Sequence, residues 1–397
     1  MIRPEKLKQY IGIAFNFGVE ILKTAILYPV GRLLYRKKDI WLISERGTDA
    51  RDNGYHFFRY LREKHPEIEC YYVIAKDSPD RERVASLGKV VNYQSLLHYL
   101  LFFGSKYLIS THIMGFSPQN NFYLYCQAKG RKNIVKGKKV FLQHGVTKDN
   151  IPQLYQENTK LDLFICGAKP EYEYITKNWH YENNEVQYTG FARFDALLDF
   201  HTKSQILIMP TWRSWLEHSV DASGEKLLKS NYFQHWGGLL KSDELEELAE
   251  KYDVTFVFYP HYAVQKYIDQ FQIGSSRVIV ADFAHYDVQQ LLKESILLIT
   301  DYSSVFFDFA YMQKPVLYYQ FDEEEYRAHH YAQGYFDYHR DGFGEVVADE
   351  ENLLALLEQY LAQGCHLEPK YRKRIENYFP LRDDKNCERI YHEIIEL

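Results

Sequence analysis

Short apolar runs alternate with amphipathic stretches over most of this chain. Asp39–Ser44, Cys70–Ala75, Lys89–Val91, Tyr107–Ser110, Lys139–Gln143, Leu163–Cys166 and Val186–Thr189 read as strands, with helical periodicity at Gly54–Lys64 and Ser95–Phe103. After a polar stretch at 200–204 the pattern restarts: Gln205–Met209, Val254–Phe258, Arg277–Val280, Ile296–Ile299 and Val316–Tyr319. The chain then closes on helices at about 351–363, 369–378 and 384–396. Near-continuous apolar strands separated by helices belong to parallel sheets covered on both faces. The expected fold is α/β: two Rossmann-like parallel-sheet domains, 38–201 and 202–397, facing a cleft, with C-terminal helices. Residues 115–139, rich in Tyr, Asn and Lys, read as a loop or insertion.

The N-terminal segment breaks the alternation. Residues 11–34 are largely apolar but carry Asn16, Glu20, Lys23, Pro29 and Arg32, with Lys6, Lys8, Arg36, Lys37 and Lys38 as a basic rim. Charges inside the run argue against a membrane span. An amphipathic helix over 1–37 lying on an anionic membrane surface fits better, with a helix packed on the domain as the alternative. No small-residue cleavage site marks a signal peptide. The basic run Lys129–Lys139 suits an anionic lipid or a phosphate polymer, or a solvated loop.

Composition narrows the function. A net charge of −6 argues against a general nucleic-acid binder. Five scattered cysteines lack metal or disulfide spacing, and neither a P-loop, a GxGxxG turn nor a carboxylate cage is present. No metal and no cofactor are therefore expected. The 35 tyrosines suit wet clefts, since each offers an apolar body with a polar tip.

The candidate chemistry lies where predicted strands end. Strand 39–44 runs into Glu45-Arg46, with Asp52-Asn53 beyond; 107–110 into Thr111-His112; 139–143 into His144-Gly145. Strand 205–209 runs into Pro210-Thr211-Trp212-Arg213, 254–258 into Tyr259-Pro260-His261, and 296–300 into Asp301-Tyr302-Ser303-Ser304. In open parallel sheets, ligands bind at carboxyl strand ends, so these groups should rim one cleft. Histidines there can move a proton or donate hydrogen bonds, and Arg213 can grip phosphate. Ser303 and Ser304 open a helical stripe through Val305, Phe306, Phe309 and Met312, which suits an anion or an ordinary helix cap. Asp322–Glu325 offers a carboxylate for a donor hydroxyl, or a solvated helix start. Asp52, Asn53 and His56 follow the first strand, where a helix cap by Asp52 or Asn53 explains part of the pattern, and His112 stands open at a strand end.

Gln143-His144-Gly145, Pro210–Arg213, Pro260-His261, Gly190-Phe-Ala-Arg193-Phe-Asp195 and Thr300-Asp-Tyr-Ser-Ser-Val-Phe-Phe-Asp-Phe309 resemble the CDP-glycerol glycerophosphotransferases of teichoic-acid and capsule synthesis. The resemblance implies a GT-B-like fold at the cytoplasmic face of a bacterial membrane, held peripherally. It implies transfer of glycerol phosphate from CDP-glycerol, or of a related polyol phosphate, to a hydroxyl of a lipid-linked or polysaccharide acceptor, releasing CMP. His144 would be the general base and His261 would steady the transferring phosphate. Thr211, Arg213, Asp301, Ser303, Ser304 and Glu325 would serve the donor; Asn53, His112 and Lys148 the acceptor. The family's His-Gly-Thr-Pro-x-Lys is here His144-Gly-Val-Thr-Lys148, and Pro260 precedes His261 rather than following it. The competing readings are a CDP-ribitol or nucleotide-sugar transferase on the same fold, and a catalytically silent polymer-binding scaffold.

Overall fold

The structure, a computed structural model, describes residues 4–127, 134–182, 184–217, 225–261, 263–271 and 273–397. Residues 129–133 of the basic run lie outside them. A long helix, Pro4–Tyr35, leads into β1 (Ile40–Ser44), β2 (Glu69–Ile74), β3 (Val90–Asn92), β4 (Tyr107–Ser110) and β5 (Lys138–Phe141). A two-residue strand, β6 (Asp149–Asn150), stands apart before β7 (Leu163–Cys166) and β8 (Val186–Tyr188). The second half contributes β9 (Gln205–Ile208), β10 (Thr255–Phe258), β11 (Val278–Val280), β12 (Leu297–Thr300), β13 (Val316–Tyr319), β14 (Ala332–Gln333) and β15 (Gly344–Val347).

Two sheets result, ordered β3-β2-β1-β4-β5-β7-β8 and β11-β10-β9-β12-β13-β15, with parallel pairing throughout. In each, the strand order reverses beside the first strand. The crevices therefore open at the ends of β1 and β4 in one sheet, and of β9 and β12 in the other. The central strands are buried along their whole length, as their unbroken apolar runs require.

Three features depart from expectation. Helix Asn120–Gln127 occupies part of the expected 115–139 loop. The edge strand β15 was not foreseen: only two valines and a half-buried face mark it. β6 and β14 pair antiparallel across the two halves, a contact no local pattern announces.

The N-terminal helix both packs and stays open. Glu20 is buried, accepting from Tyr99 Oη at 2.6 Å and from Lys23 Nζ at 2.7 Å. Gly31 lies so near the Leu100 carbonyl that a Cβ would approach it to 2.6 Å. The opposite face exposes Ile21, Leu22, Ile26, Val30, Leu33 and Leu34.

The last helix, Asn386–Ile395, leaves the second sheet and returns to the first half. Tyr391 stacks on Trp41 and on His65. The Asp195 carboxylate accepts the N–H groups of Asn386 and Cys387 at 2.8 and 2.9 Å. The largest apolar cluster is continuous across both halves, from Trp41 through Phe191 and Phe194 to Phe306, Phe309 and Ile390.

Candidate active site

Between the two switch points lies a cleft of about 300 Å³, lined by Arg46, Asp52, His112, His144 and Arg193 from one half and Ser303, Ser304 and Asp308 from the other. His144 is delivered by a strained turn after β5. Gln143 takes φ = +57°, a left-handed conformation uncommon outside glycine. Its side chain holds it there: Nε2 donates to the Ile165 carbonyl at 2.6 Å and to Glu171 at 3.0 Å, and Oε1 accepts from Thr147 Oγ1 at 2.8 Å. Glu171 also receives the N–H groups of Thr147, Gly167 and Ala168. Burial still pushes its pKa up to about 7. Gly145 then passes so close to Ser304 that a Cβ would meet the hydroxyl at 2.6 Å. The glycine is what lets the histidine loop touch the opposite wall.

The tautomer of His144 follows from its partner. Nδ1 lies 3.2 Å from the Thr111 carbonyl, which can only accept. Nδ1 therefore carries the proton, and Nε2 is the basic nitrogen. The ring opens on the cleft, but the protein around it displaces water and lowers its pKa, an effect that Asp52 partly offsets.

His112 stacks on His144 with ring centroids 4.6 Å apart and planes 5° from parallel. Its Nε2 accepts from Arg46 Nε at 3.2 Å, leaving Nδ1 to donate to Thr111 Oγ1 at 3.0 Å. Burial drives its pKa down to about 3, helped by His144 and Arg46. His261 is half-buried and falls to about 4, first through burial and then through the charge of Arg46. Beyond the histidine pair lies a second pocket of about 610 Å³, walled by His112, His144, Tyr93, Met114 and Phe141 of the first half and Tyr331 of the second.

Ser303 and Ser304 stand where expected, at the start of the helix Val305–Tyr311. Ser304 makes no capping hydrogen bond with its side chain. Other expected donor groups sit beneath the site. Arg213, 1 % exposed, spends Nε and Nη2 on Asp322 at 2.7 and 2.9 Å, and Nη1 on Asp301 at 2.8 Å and the Thr211 carbonyl at 2.7 Å. It braces the strand ends instead of gripping a phosphate. Asp301 is consumed by Arg213 and by the N–H groups of Thr211 and Tyr302. Thr211 Oγ1 is buried with no partner among the described residues. Glu325 is half-buried on the helix Glu323–His329 and is not among the cleft-lining residues.

On the acceptor side, Asn53 is fully buried. Its Nδ2 donates to the carbonyls of Leu142 and Gln143, and its Oδ1 accepts from Arg193 N. Lys148 is buried against Asp149, which also pairs with Arg327 at 2.9 Å. Both residues shape the histidine loop from behind.

Three groups enter the site with no role assigned to them from sequence: Arg193, Glu45 and Arg46. Arg193 donates from Nε and Nη2 to the two oxygens of Asp308 at 2.6 and 2.8 Å, and from Nη1 to Asp52 at 2.8 Å. One guanidinium thus joins the carboxylate beside His144 to the helix that carries the serines. Glu45 collects the N–H groups of Arg51, Asp52 and Tyr55; burial, then Asp52 and Asp49, push its pKa up to about 8. Arg46 lines the cleft and donates from Nε to His112. Arg193 and Asp308 lay inside the quoted motifs, and Arg46 ended a predicted strand, so the signals were present without a partner to point to.

Two parallel-sheet halves meeting at their switch points over a histidine-and-hydroxyl cleft define a GT-B-like protein. The family model described as CDP-glycerol:poly(glycerophosphate) glycerophosphotransferase matches residues 26–396, and the chain belongs to this family. It is 35 % identical over 376 residues to the minor teichoic acid biosynthesis protein GgaB of Bacillus subtilis (strain 168), covering 92 % of this chain and 40 % of that protein. It is 23 % identical to the teichoic acid poly(glycerol phosphate) polymerase of the same organism, covering 93 % of this chain and 50 % of that one. The chain therefore spans half or less of these two relatives. The fold is similar to that of the wall teichoic acid polymerase TagF, with a TM-score of 0.67 at 16 % identity over 96 % of this chain and 97 % of that one.

Proposed function

We propose that this protein transfers glycerol phosphate from CDP-glycerol to a hydroxyl of a teichoic-acid-type acceptor, releasing CMP. One observation carries the reading: a histidine whose Nδ1–H is fixed on a carbonyl faces two serine hydroxyls across the cleft. Nε2 of His144 takes the proton of the acceptor hydroxyl as its oxygen attacks the glycerol-bearing phosphorus. The P–O bond to CMP breaks and CMP leaves with the electron pair. Ser303 and Ser304 hold the diphosphate, and His261, neutral near pH 7, can serve it only as a hydrogen-bond donor. Transfer of this kind is mostly positioning and charge stabilisation. The acceptor, lipid-linked or polysaccharide, enters through the pocket beyond the histidine pair.

Family membership and the family names of the relatives support the donor assignment. GgaB's name specifies none, so CDP-ribitol and a nucleotide sugar belong in the same assay as CDP-glycerol. Purified protein with CDP-glycerol and a glycerol-phosphate primer releases CMP on this reading. His144→Ala abolishes release while leaving donor binding within a few fold. Normal turnover by that variant removes His144 as the base, and release from another donor alone replaces CDP-glycerol.

The same reading places the protein peripherally at the cytoplasmic face of the membrane. Its support is the exposed Ile21, Leu22, Ile26, Val30, Leu33 and Leu34 on the N-terminal helix; among the described residues no helix is long and apolar enough to cross a membrane.

A further inference from the structure

The two cavities that meet at the histidine pair differ in charge. Arg51, Arg193, Asp52, Asp287 and Asp308 all line the 300 Å³ cleft. The 610 Å³ pocket has no carboxylate and no lysine among its described lining residues, and its arginine, Arg46, stands at the end shared with the cleft, beside His112 and His144. Burial keeps both imidazoles neutral near pH 7. The rest of the wall is apolar and aromatic, with Phe141, Tyr93 and Tyr331, and the exposed residues Asn120 and Gln153 add two amides.

Tyr331 is the part of this wall that the second half supplies. It stands one residue before β14, whose antiparallel pairing with β6 brings it to the pocket that Ile151 and Leu154 also line. Gly334 packs so closely on the Lys148 carbonyl that a Cβ has no room, so the second half closes on the end of the histidine loop. Tyr331 is nevertheless 42 % exposed. A ring this open, beside a cavity that leads to the catalytic base, has a face to offer a ligand. A glycerol-phosphate chain end carries an anion beside the hydroxyl it offers, and burying an anion away from countercharge is costly. A pyranose suits the wall better: its ring C–H groups lie on aromatic faces while its hydroxyls reach phenols and amides. An alkyl chain matches the apolar wall but brings no hydroxyl to His144. Resting on the functional reading above, we propose that the unit bearing the attacked hydroxyl is an uncharged pyranose held in this pocket, and that Tyr331 selects it by stacking on the ring. The sugar hydroxyl gives its proton to Nε2 of His144, its oxygen forms the new bond to phosphorus, and CMP leaves with the electron pair.

Acceptors sharing one octyl tail separate the possibilities: octyl glycosides of glucose, galactose, mannose and their 2-acetamido forms, octyl glycerol phosphate, and octyl glycerol. CMP release from CDP-glycerol is measured with each. The best glycoside is expected to exceed octyl glycerol phosphate in kcat/KM by about 10-fold or more. Tyr331→Ala should raise the KM of that glycoside by about 10-fold, the size of one lost aromatic contact, and leave the KM of CDP-glycerol unchanged. Tyr331→Phe keeps the ring and stays near wild type. Octyl glycerol phosphate turned over as well as the best glycoside overturns the uncharged pyranose. Octyl glycerol turned over as well overturns it too, because the tail alone then fills the pocket. A glycoside KM unmoved by Tyr331→Ala, or raised equally with that of CDP-glycerol, overturns the role of Tyr331. In each of these cases CMP is still released and the functional reading stands. No CMP with any acceptor overturns that reading, and this inference with it.

Discussion

Arg213 has two carboxylates and a carbonyl around a guanidinium that is 1 % exposed. Removing one partner of such a buried cluster leaves the others as uncompensated charge. Arg213→Met should therefore destabilise by about 3–5 kcal/mol in urea denaturation, the range for breaking a buried ion pair. A stability near wild type paired with a large rise in KM would return Arg213 to the donor site. His144 makes the opposite kind of claim, about activity. Its basic form is the working one, and burial holds its pKa below the ordinary histidine value. The CMP-release rate should stay level as pH falls from 8 through about 6.5 and decline only below that. An acid limb centred at or above that value contradicts the assigned environment. Strand-end position alone could not separate these two residues. It placed both at one rim, but whether a side chain turns into the cleft or down into a carboxylate pair depends on Asp322, a residue distant in the chain.

At the scale of elements, the loop 143–148 and the N-terminal helix carry the most consequence. The loop was legible as a histidine at a strand end, and its glycine as part of a motif. Its brace was not, because Glu171 belongs to the helix Lys169–Asn178, beyond β7, and reads there as an ordinary first-turn acid. The N-terminal helix was legible as amphipathic, and the interrupting Glu20 now has a partner in Tyr99. Deleting the helix would expose the surface it covers, so point changes test the membrane reading better. Leu22→Ser with Leu33→Ser, both on the open face, should reduce co-flotation with anionic liposomes several-fold while leaving the melting temperature unchanged. Undiminished flotation excludes this face as the contact.

For the whole molecule, strand alternation was enough to give two parallel sheets, though not the edge strand β15. Contacts between the halves were beyond it. The β6–β14 pair, the Arg193 bridge and the return of the last helix join residues more than a hundred positions apart, and no local periodicity encodes such pairings. Those contacts make the halves thermodynamically inseparable. Chains with two domains commonly melt in two steps. Here the apolar cluster is continuous from Trp41 to Ile390, so losing either sheet strips cover from the other. Scanning calorimetry should show one transition whose calorimetric and van't Hoff enthalpies agree, and two resolved peaks would refute it. Swinging one half away from the other to open the active site would break the apolar cluster and the β6–β14 pair that span them. Substrate must come and go through fluctuations far smaller than unfolding either half.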